Sequence, residues 1–220
     1  MNDKNENVIL IHGLARTSRS MKKMAHSLRE QGYHTINTRY PSTKHTIEIL
    51  ADDVLTTALS ECIKERPIHI VTHSLGGILV RQYLSKHSIK NLGRVVMLGP
   101  PNQGSEVVNY LHKMPGYKLI NGPAGGQLGT DKLSIPKKLG RAGFDLGIIA
   151  GSRSINLILS MFLPDKNDGK VSVEKTKLEG MSDHITLAVA HPFLMRNKSA
   201  IKQTLYYLEH GQFNRDKKRK

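Results

Sequence analysis

A serine lies where a strand pattern gives way to a helix pattern in the first half of the chain. Residues 68–72 form an apolar run that predicts a buried strand, and residues 75–87 follow a helical pattern. On so tight a turn the backbone of Ser74 is strained, and the strain lifts its hydroxyl above the strand ends, with Gly76 as a small neighbour. The backbone N–H of Leu75 points at the same spot, where it can stabilise an oxyanion. The pattern predicts a nucleophile, the alternative being a serine that only caps the helix.

The segment Thr72-His73-Ser74-Leu75-Gly76-Gly77 resembles the nucleophile elbow of the α/β-hydrolase family, especially that of its small lipases and esterases. One residue departs from the family pattern, which usually has Gly two places before the serine, where this chain has Thr72. A β-branched residue there should make the turn tighter or displace it slightly. The resemblance implies a serine hydrolase that cleaves carboxylic esters through an acyl-enzyme on Ser74.

Two further segments look like parts of the same family. The segment Val8-Ile9-Leu10-Ile11-His12-Gly13-Leu14 resembles the first strand and the oxyanion loop. The resemblance implies that the backbone N–H of Leu14 is the second oxyanion donor, because Gly13 lets the chain turn so that this amide faces the serine. The ring of His12 is expected to be buried and bonded to backbone. Residues 95–105 look like the strand and loop beside the pocket, although a Gly/Pro turn closing a βα unit explains them equally well.

The family's order along the chain is nucleophile, acid, histidine, so the acid should follow Ser74. Asp145 lies inside a strand candidate, which leaves four aspartates: Asp131, Asp165, Asp168 and Asp183. Asp168 follows the fifth strand candidate within Asn167-Asp168-Gly169, a strong turn signal, and has Val171 after it, as the family's acid does. The resemblance therefore favours Asp168, against the alternative that it only bonds its own turn.

The base must be chosen from eleven histidines. His69 and His73 come too early for the family's order, and His184 opens the last strand candidate. Active sites in open α/β sheets form outside the carboxyl ends of the strands, where His191 follows the end of that strand. The segment His191-Pro192-Phe193-Leu194-Met195 also resembles the histidine loop of small lipases. His191 is the expected base, the alternative being a cap on the final helix.

The elements that must position these residues alternate along the chain. Strand candidates occupy residues 8–11, 35–38, 68–72, 94–98, 145–150 and 184–189, and helix patterns occupy residues 21–31, 46–65, 75–87 and 198–210. Strands that alternate with helices imply right-handed crossovers and a doubly wound sheet. We therefore expect an α/β fold, a minimal α/β-hydrolase with about six mainly parallel strands flanked by helices.

We expect a single domain over residues 1–214 and a basic, disordered tail over residues 215–220. Residues 111–143 are rich in Gly, Pro and Lys without a sustained period, and so long a loop indicates a lid or disorder. In the lid hypothesis the apolar residues facing an acyl chain are Met114, Tyr117, Leu119, Ile120 and Leu128.

The composition limits the class of protein further. The 33 Lys and Arg residues against 18 Asp and Glu residues give a net charge of +15, which permits contact with an anionic membrane, nucleic acid or an acidic substrate. Aromatic residues make up only 5% of the chain and do not interleave with basic ones, which argues against nucleic acid. The expected substrate is a small-molecule or lipid ester, and the expected location is cytoplasmic with peripheral contact to an anionic membrane.

No cofactor and no metal are expected. A single cysteine, Cys62, excludes an internal disulfide, and the sequence contains no phosphate-binding Gly-Lys-Ser/Thr loop, no His-Glu-x-x-His string and no complete calcium loop. No apolar stretch reaches the roughly 20 residues that span a bilayer, and the first apolar run is too short for a signal peptide. Two other functions remain open: an acyltransferase with the same triad, and a non-catalytic basic binding protein on a hydrolase scaffold.

Overall fold

The computed structural model describes residues 4–111, 116–132, 134–154 and 166–215. Within these ranges six strands form one sheet: β1 (Asn7–Ile11), β2 (His34–Asn37), β3 (Ile68–His73), β4 (Leu92–Leu98), β5 (Leu146–Gly151) and β6 (Asp183–Leu187). The helices that flank the sheet are α1 (Lys22–Glu30), α2 (Ile47–Ser60), α3 (Leu75–Leu84), α4 (Glu106–Leu111), α5 (Tyr117–Gly126), α6 (Ile135–Lys138), α7 (Val173–Thr176) and α8 (Lys198–His210). Two 3₁₀ turns cover Ser18–Met21 and His191–Arg196.

The strand order in the sheet is β2-β1-β3-β4-β5-β6, and every neighbouring pair is parallel. The prediction of about six mainly parallel strands is confirmed. The chain runs outward from β1 to β2 and then returns to place β3 on the other side of β1. Because the order reverses there, the loops that leave the carboxyl ends of β1 and β3 diverge and open a crevice between them, where ligands of such sheets bind.

The continuous apolar runs in the sequence are explained by cores on both faces of the sheet. Successive residues of β1 point to opposite faces, so that Ile9 and Ile11 pack with α2 and α3 while Val8 and Leu10 pack with α1 and α8. All four are fully buried. The edge strands β2 and β6 are only partly buried, which accounts for their weaker pattern in the sequence.

A buried arginine holds the loop after β4 against α3. Arg81 is 4% exposed, and its guanidinium donates to the backbone oxygens of Asn102 (2.9 Å), Pro136 (3.0 Å) and Gly140 (2.9 Å). Burial lowers the pKa of Arg81 to about 10, so it stays charged at neutral pH. Its fork of donors therefore connects α3 to the loop after β4 and to the segment that contains α6 and Gly140.

The structure differs from the sequence expectations in the lid segment and at the tail. Residues 111–143 contain α5 and α6, although α5 is interrupted at Gly122, whose φ of 64° is not helical. Arg215, expected in the disordered tail, donates to the carboxylate of Asp183 (2.8 Å). Residues 216–220 lie outside the described residues, and the lid role stays a prediction. No helix in the described ranges is both long and apolar enough to cross a membrane.

Candidate active site

Ser74 occupies the turn between β3 and α3 in a strained backbone conformation. Its φ of 54° and ψ of −120° define a backbone conformation that residues other than glycine rarely adopt. The N–H of Ser74 donates to the backbone oxygen of Leu98 (2.9 Å). Leu75 is the first residue of α3, so its N–H is one of the four at a helix start without an acceptor inside the helix. A hydroxyl and a backbone donor thus meet at the carboxyl end of β3.

The residues around the turn are packed closely against β1. A methyl group on Gly76 would lie 2.6 Å from the backbone oxygen of Ile11, so only glycine fits there. Thr72, the departure from the family pattern, is fully buried inside β3. Its side chain lies toward Gly77, where an added methyl would be 3.3 Å from Thr72 Oγ1. The strand therefore has room for threonine beneath a turn that keeps the strained serine.

Asp168 and His191 form a buried hydrogen-bonded pair in the loops after β5 and β6. Nδ1 of His191 lies 2.7 Å from Oδ2 of Asp168, and the two side chains are 4% and 0% exposed. The other carboxylate oxygen accepts the N–H groups of Lys170 (3.0 Å) and Val171 (2.9 Å). A carboxylate at Nδ1 holds the proton on that nitrogen, which leaves Nε2 able to accept one.

One cavity is lined by the expected nucleophile, the expected base and the loop of the expected oxyanion donor. It has a volume of about 100 Å³, and its lining includes Leu14, Ser74, Leu128 and His191. The loop after β1 lies against the serine, because a methyl group on Gly13 would be 3.1 Å from Ser74 Cβ. The structure thus brings Leu14, Ser74 with Leu75, and the Asp168–His191 pair to one place. Of the proposed lid residues Leu128 lines the cavity, whereas Met114 and the side chains of Tyr117, Leu119 and Ile120 lie outside the described part.

His73 is a component of the site that sequence reasoning did not find. Its Nε2 donates to the backbone oxygen of His191 (3.1 Å), and the two rings lie 4.8 Å apart. Burial, and then the nearby charge of His191, hold the pKa of His73 well below its usual range. A neutral ring there supports the His191 backbone without a permanent positive charge beside the imidazole.

Gly99 is a second component without a local signal in the sequence. It follows β4 with a φ of 56°, and a methyl group on it would lie 3.1 Å from both Asp168 Oδ2 and His191 Nδ1 and 2.9 Å from Leu194 Cδ1. The backbone conformation and the missing side chain both leave space for the Asp168–His191 hydrogen bond.

Gly99→Ala is expected to lower kcat for the ester hydrolysis expected from the sequence about 100-fold, because it pushes Asp168 and His191 out of line. It should also lose about 1–2 kcal/mol of stability from the left-handed backbone. Gly140→Ala is the matched control, since Gly140 has a φ of 65° and no described atom near its missing methyl. Urea unfolding should show a loss in both variants, larger in Gly99→Ala because its methyl also meets Leu194, and steady-state kinetics should show a loss only in Gly99→Ala. Equal kcat values in the two variants would contradict this role of Gly99.

The residues that were set aside in the sequence serve other contacts. Nδ1 of His12 donates to the oxygen of Gly13 (2.9 Å), and its ring stacks on Tyr40 with centroids 4.1 Å apart, which confirms the expected buried, backbone-bonded ring. His184 bonds Thr176 (3.0 Å), and Asp145 pairs with Arg94 (3.2 Å). Asp165 lies outside the described residues. Among those that are described, no group of three or more His, Cys, Asp or Glu side chains could hold a metal ion.

The arrangement has the parts of a nucleophilic acyl-transfer site. A serine on a strained turn, an imidazole with one nitrogen fixed by a buried carboxylate, and a helix start beside the hydroxyl are the groups that such chemistry needs. None of these features requires a cofactor.

The sequence matches the family model for the alpha/beta hydrolase fold over residues 6–119, which is more than half of the chain. Comparison with curated proteins gives no match.

Solved structures described as a lipase, a phospholipase and a carboxyl esterase share the fold. The mature form of lipase BlEst2 from Bacillus licheniformis has a TM-score of 0.75 at 19% identity, over 92% of this chain and 91% of that one. Phospholipase PlaB from Legionella pneumophila has a TM-score of 0.71 at 16% identity, over 94% of this chain and 60% of that one. The metagenomic carboxyl esterase MGS0156 has a TM-score of 0.66 at 18% identity, over 87% of this chain and 65% of that one. The match to the family model, together with the shared fold, shows that the chain belongs to the α/β-hydrolase family.

Proposed function

We propose that the chain is a serine hydrolase that cleaves carboxylic esters, with Ser74 as nucleophile, His191 as base and Asp168 as the carboxylate that orients the base. The observation that carries this proposal is the buried 2.7 Å hydrogen bond between Asp168 and His191, whose imidazole lines one cavity with Ser74. The similar structures are described as a lipase, a phospholipase and a carboxyl esterase, and all three names support an ester substrate.

In the first half of the proposed reaction, Ser74 Oγ attacks the ester carbonyl while Nε2 of His191 takes the hydroxyl proton. The backbone N–H groups of Leu14 and Leu75 hold the negative charge that develops on the carbonyl oxygen. When the tetrahedral intermediate collapses, His191 gives its proton to the leaving alcohol. The acyl group then remains on Ser74 as an ester.

In the second half, water takes the place of the alcohol. His191 removes a proton from the water as it attacks the acyl-enzyme, and returns the proton to Ser74 Oγ when the carboxylic acid leaves. Asp168 stays ionised throughout and stabilises the imidazolium that forms twice in each turnover. Because the low pKa of His73 keeps that ring neutral, no second cation beside His191 opposes the imidazolium.

The apolar side of the cavity supports an acyl chain as the group bound there. Five aliphatic residues line it: Leu14, Val107, Val108, Leu128 and Val171. Because such a surface excludes water, it favours binding of the acyl group and strengthens the hydrogen bonds to the oxyanion. The small volume of the cavity supports a short acyl chain. The proposal also includes a contact between the protein and an anionic membrane, which the net charge of +15 supports.

Product analysis tests the proposed reaction. The wild-type protein should convert p-nitrophenyl acetate and butyrate to the free acids, and added glycerol or short alcohols should divert only a minor share of the acyl group. Rates should fall as the acyl chain is extended to octanoate and beyond. Acyl transfer to the alcohols as the main reaction would show an acyltransferase instead, and no turnover of any ester in the series would contradict the proposal.

A further inference from the structure

A basic groove opens beside the catalytic cavity. One wall is the segment from the β1 loop into α1, and the other is the 3₁₀ turn that begins at His191. The groove has a volume of about 810 Å³, and five cationic side chains line it: Arg16, Arg19, Lys22, Lys23 and Arg196. No Asp or Glu is among the described residues of its lining. A groove of one sign of charge concentrates anions at its surface.

Arg16 belongs to both the groove and the cavity, and Lys170 adds a second cation to the cavity lining. The backbone around each is fixed. Ala15 has a φ of 52°, and its N–H donates to Ser42 Oγ (3.0 Å). The N–H of Lys170 is bound by Asp168, and its backbone oxygen accepts from Ser105 Oγ (2.7 Å). Two cations are therefore presented within a few residues of the expected oxyanion donor and the expected acid.

Neither cation has an ion-pair partner within the described ranges. Desolvation lowers the pKa of Lys170 even though the residue is exposed as a whole, and the charge of Arg16 lowers it further, whereas the carboxylate of Asp168 acts in the opposite direction. Arg16 and Lys170 both line the edge of an apolar cavity, so their positive charges repel each other, and a bound anion relieves that repulsion. An anion with more than one negative charge matches this pair best.

We propose that the ester substrate carries a phosphate group, and that Arg16 and Lys170 bind this phosphate while the ester carbonyl lies at Ser74. The proposal rests on the proposed ester hydrolysis and specifies its substrate class. A phosphate monoester carries about 1.5 to 2 negative charges at pH 7, and the planar fork of an arginine fits its oxygens. Because Arg16 and Lys170 line the cavity itself, a spacer as short as glycerol joins the phosphate to the ester.

The test compares two water-soluble esters that differ only in the phosphate: 1-butanoylglycerol 3-phosphate and 1-butanoylglycerol. The wild-type protein should have a higher kcat/KM for the phosphate ester. The ratio of the two kcat/KM values should fall about tenfold in the single variant Arg16→Gln. It should also fall about tenfold, relative to the wild type, in the single variant Lys170→Gln. Lys64→Gln removes one exposed positive charge away from the cavity and is the matched control. Its ratio should equal that of the wild type.

Binding to a Ser74→Ala background gives a readout that does not depend on turnover. Calorimetry should show that Arg16→Gln weakens binding of the phosphate ester about tenfold, whereas Lys64→Gln leaves it unchanged. Equal kcat/KM values for the two esters, together with equal binding by all the variants, would overturn the phosphate site and leave ester hydrolysis intact. A preference seen only when the esters are presented in anionic vesicles would also overturn it, because the groove would then bind a surface and not the substrate.

Discussion

Ser74→Ala is expected to lower kcat for p-nitrophenyl butyrate by about a millionfold, the scale of loss when the nucleophile of a serine hydrolase is removed. The variant keeps the oxyanion donors and the cavity, but no atom remains that can form the acyl-enzyme. The free energy of unfolding should change by less than about 0.5 kcal/mol, because alanine adopts the same backbone conformation as serine and Ser74 Oγ does not cap α3.

Ser88→Ala is the control for Ser74→Ala. Ser88 is exposed in the turn that follows α3, outside the cavity that contains Ser74, so its replacement should leave both kcat and stability unchanged. Hydrolysis by Ser74→Ala at the wild-type rate, measured on protein of verified mass, would exclude Ser74 as the nucleophile.

Asp168→Asn is expected to lower kcat about ten-thousandfold, although it replaces one oxygen by a nitrogen of similar size. The side-chain oxygen of the new amide must face the N–H groups of Lys170 and Val171, because an NH₂ group there would meet two donors. The NH₂ group then faces Nδ1 of His191 and forces the proton onto Nε2. An imidazole with its proton on Nε2 cannot accept the proton of Ser74.

Asp53→Asn is the matched control, since Asp53 is an exposed residue of α2 away from the site. Steady-state kinetics and urea unfolding should show that Asp168→Asn loses activity while it still unfolds cooperatively, and that Asp53→Asn resembles the wild type in both. If Asp168→Asn kept more than about a tenth of the wild-type kcat, another residue would have to orient the base.

The sequence predicted the central strands well because aliphatic residues dominate them and both faces of the sheet are covered. The runs that became β1, β3 and β5 are buried along their whole length, and the polar residues of β3 do not alternate regularly with its apolar ones. The weaker pattern at β2 and β6 follows from their place at the edges of the sheet. Within residues 111–143 the period is lost because Gly122 and Pro123 interrupt α5, although helical backbone continues on both sides.

The residues of the candidate site also differ in how well the sequence predicted them. Ser74 and Leu75 carry a local signal, a strand followed at once by a helix. Asp168 was selected through the family resemblance, and His191 through that resemblance together with its place after the last strand. Gly99 could not be found, because nothing in a strand-ending glycine indicates that an acid and a histidine from distant loops pack against it. Arg16 and Lys170 carry no signal for the same reason, since the topology alone brings residues 16 and 170 to the lining of one cavity.

Thr72 illustrates why a departure from a family pattern needs the structure. The sequence suggested that its bulk would displace the turn, and in the structure it is fully buried in β3 beneath a serine with a φ of 54°. Within the part of the chain that the structure describes, its Oγ1 has no hydrogen-bond partner. The strained elbow is therefore compatible with a threonine at this position.

Labelling with a fluorophosphonate, followed by mapping of the modified peptide by mass spectrometry, tests most directly whether Ser74 is an activated nucleophile. Only a serine whose proton can be removed by a positioned base reacts at a useful rate. The expected result is one adduct per chain, on Ser74, formed by the wild type and by Asp53→Asn and formed far more slowly by Asp168→Asn. An unlabelled wild-type protein, or an adduct on a different serine, would contradict the assignment of the site.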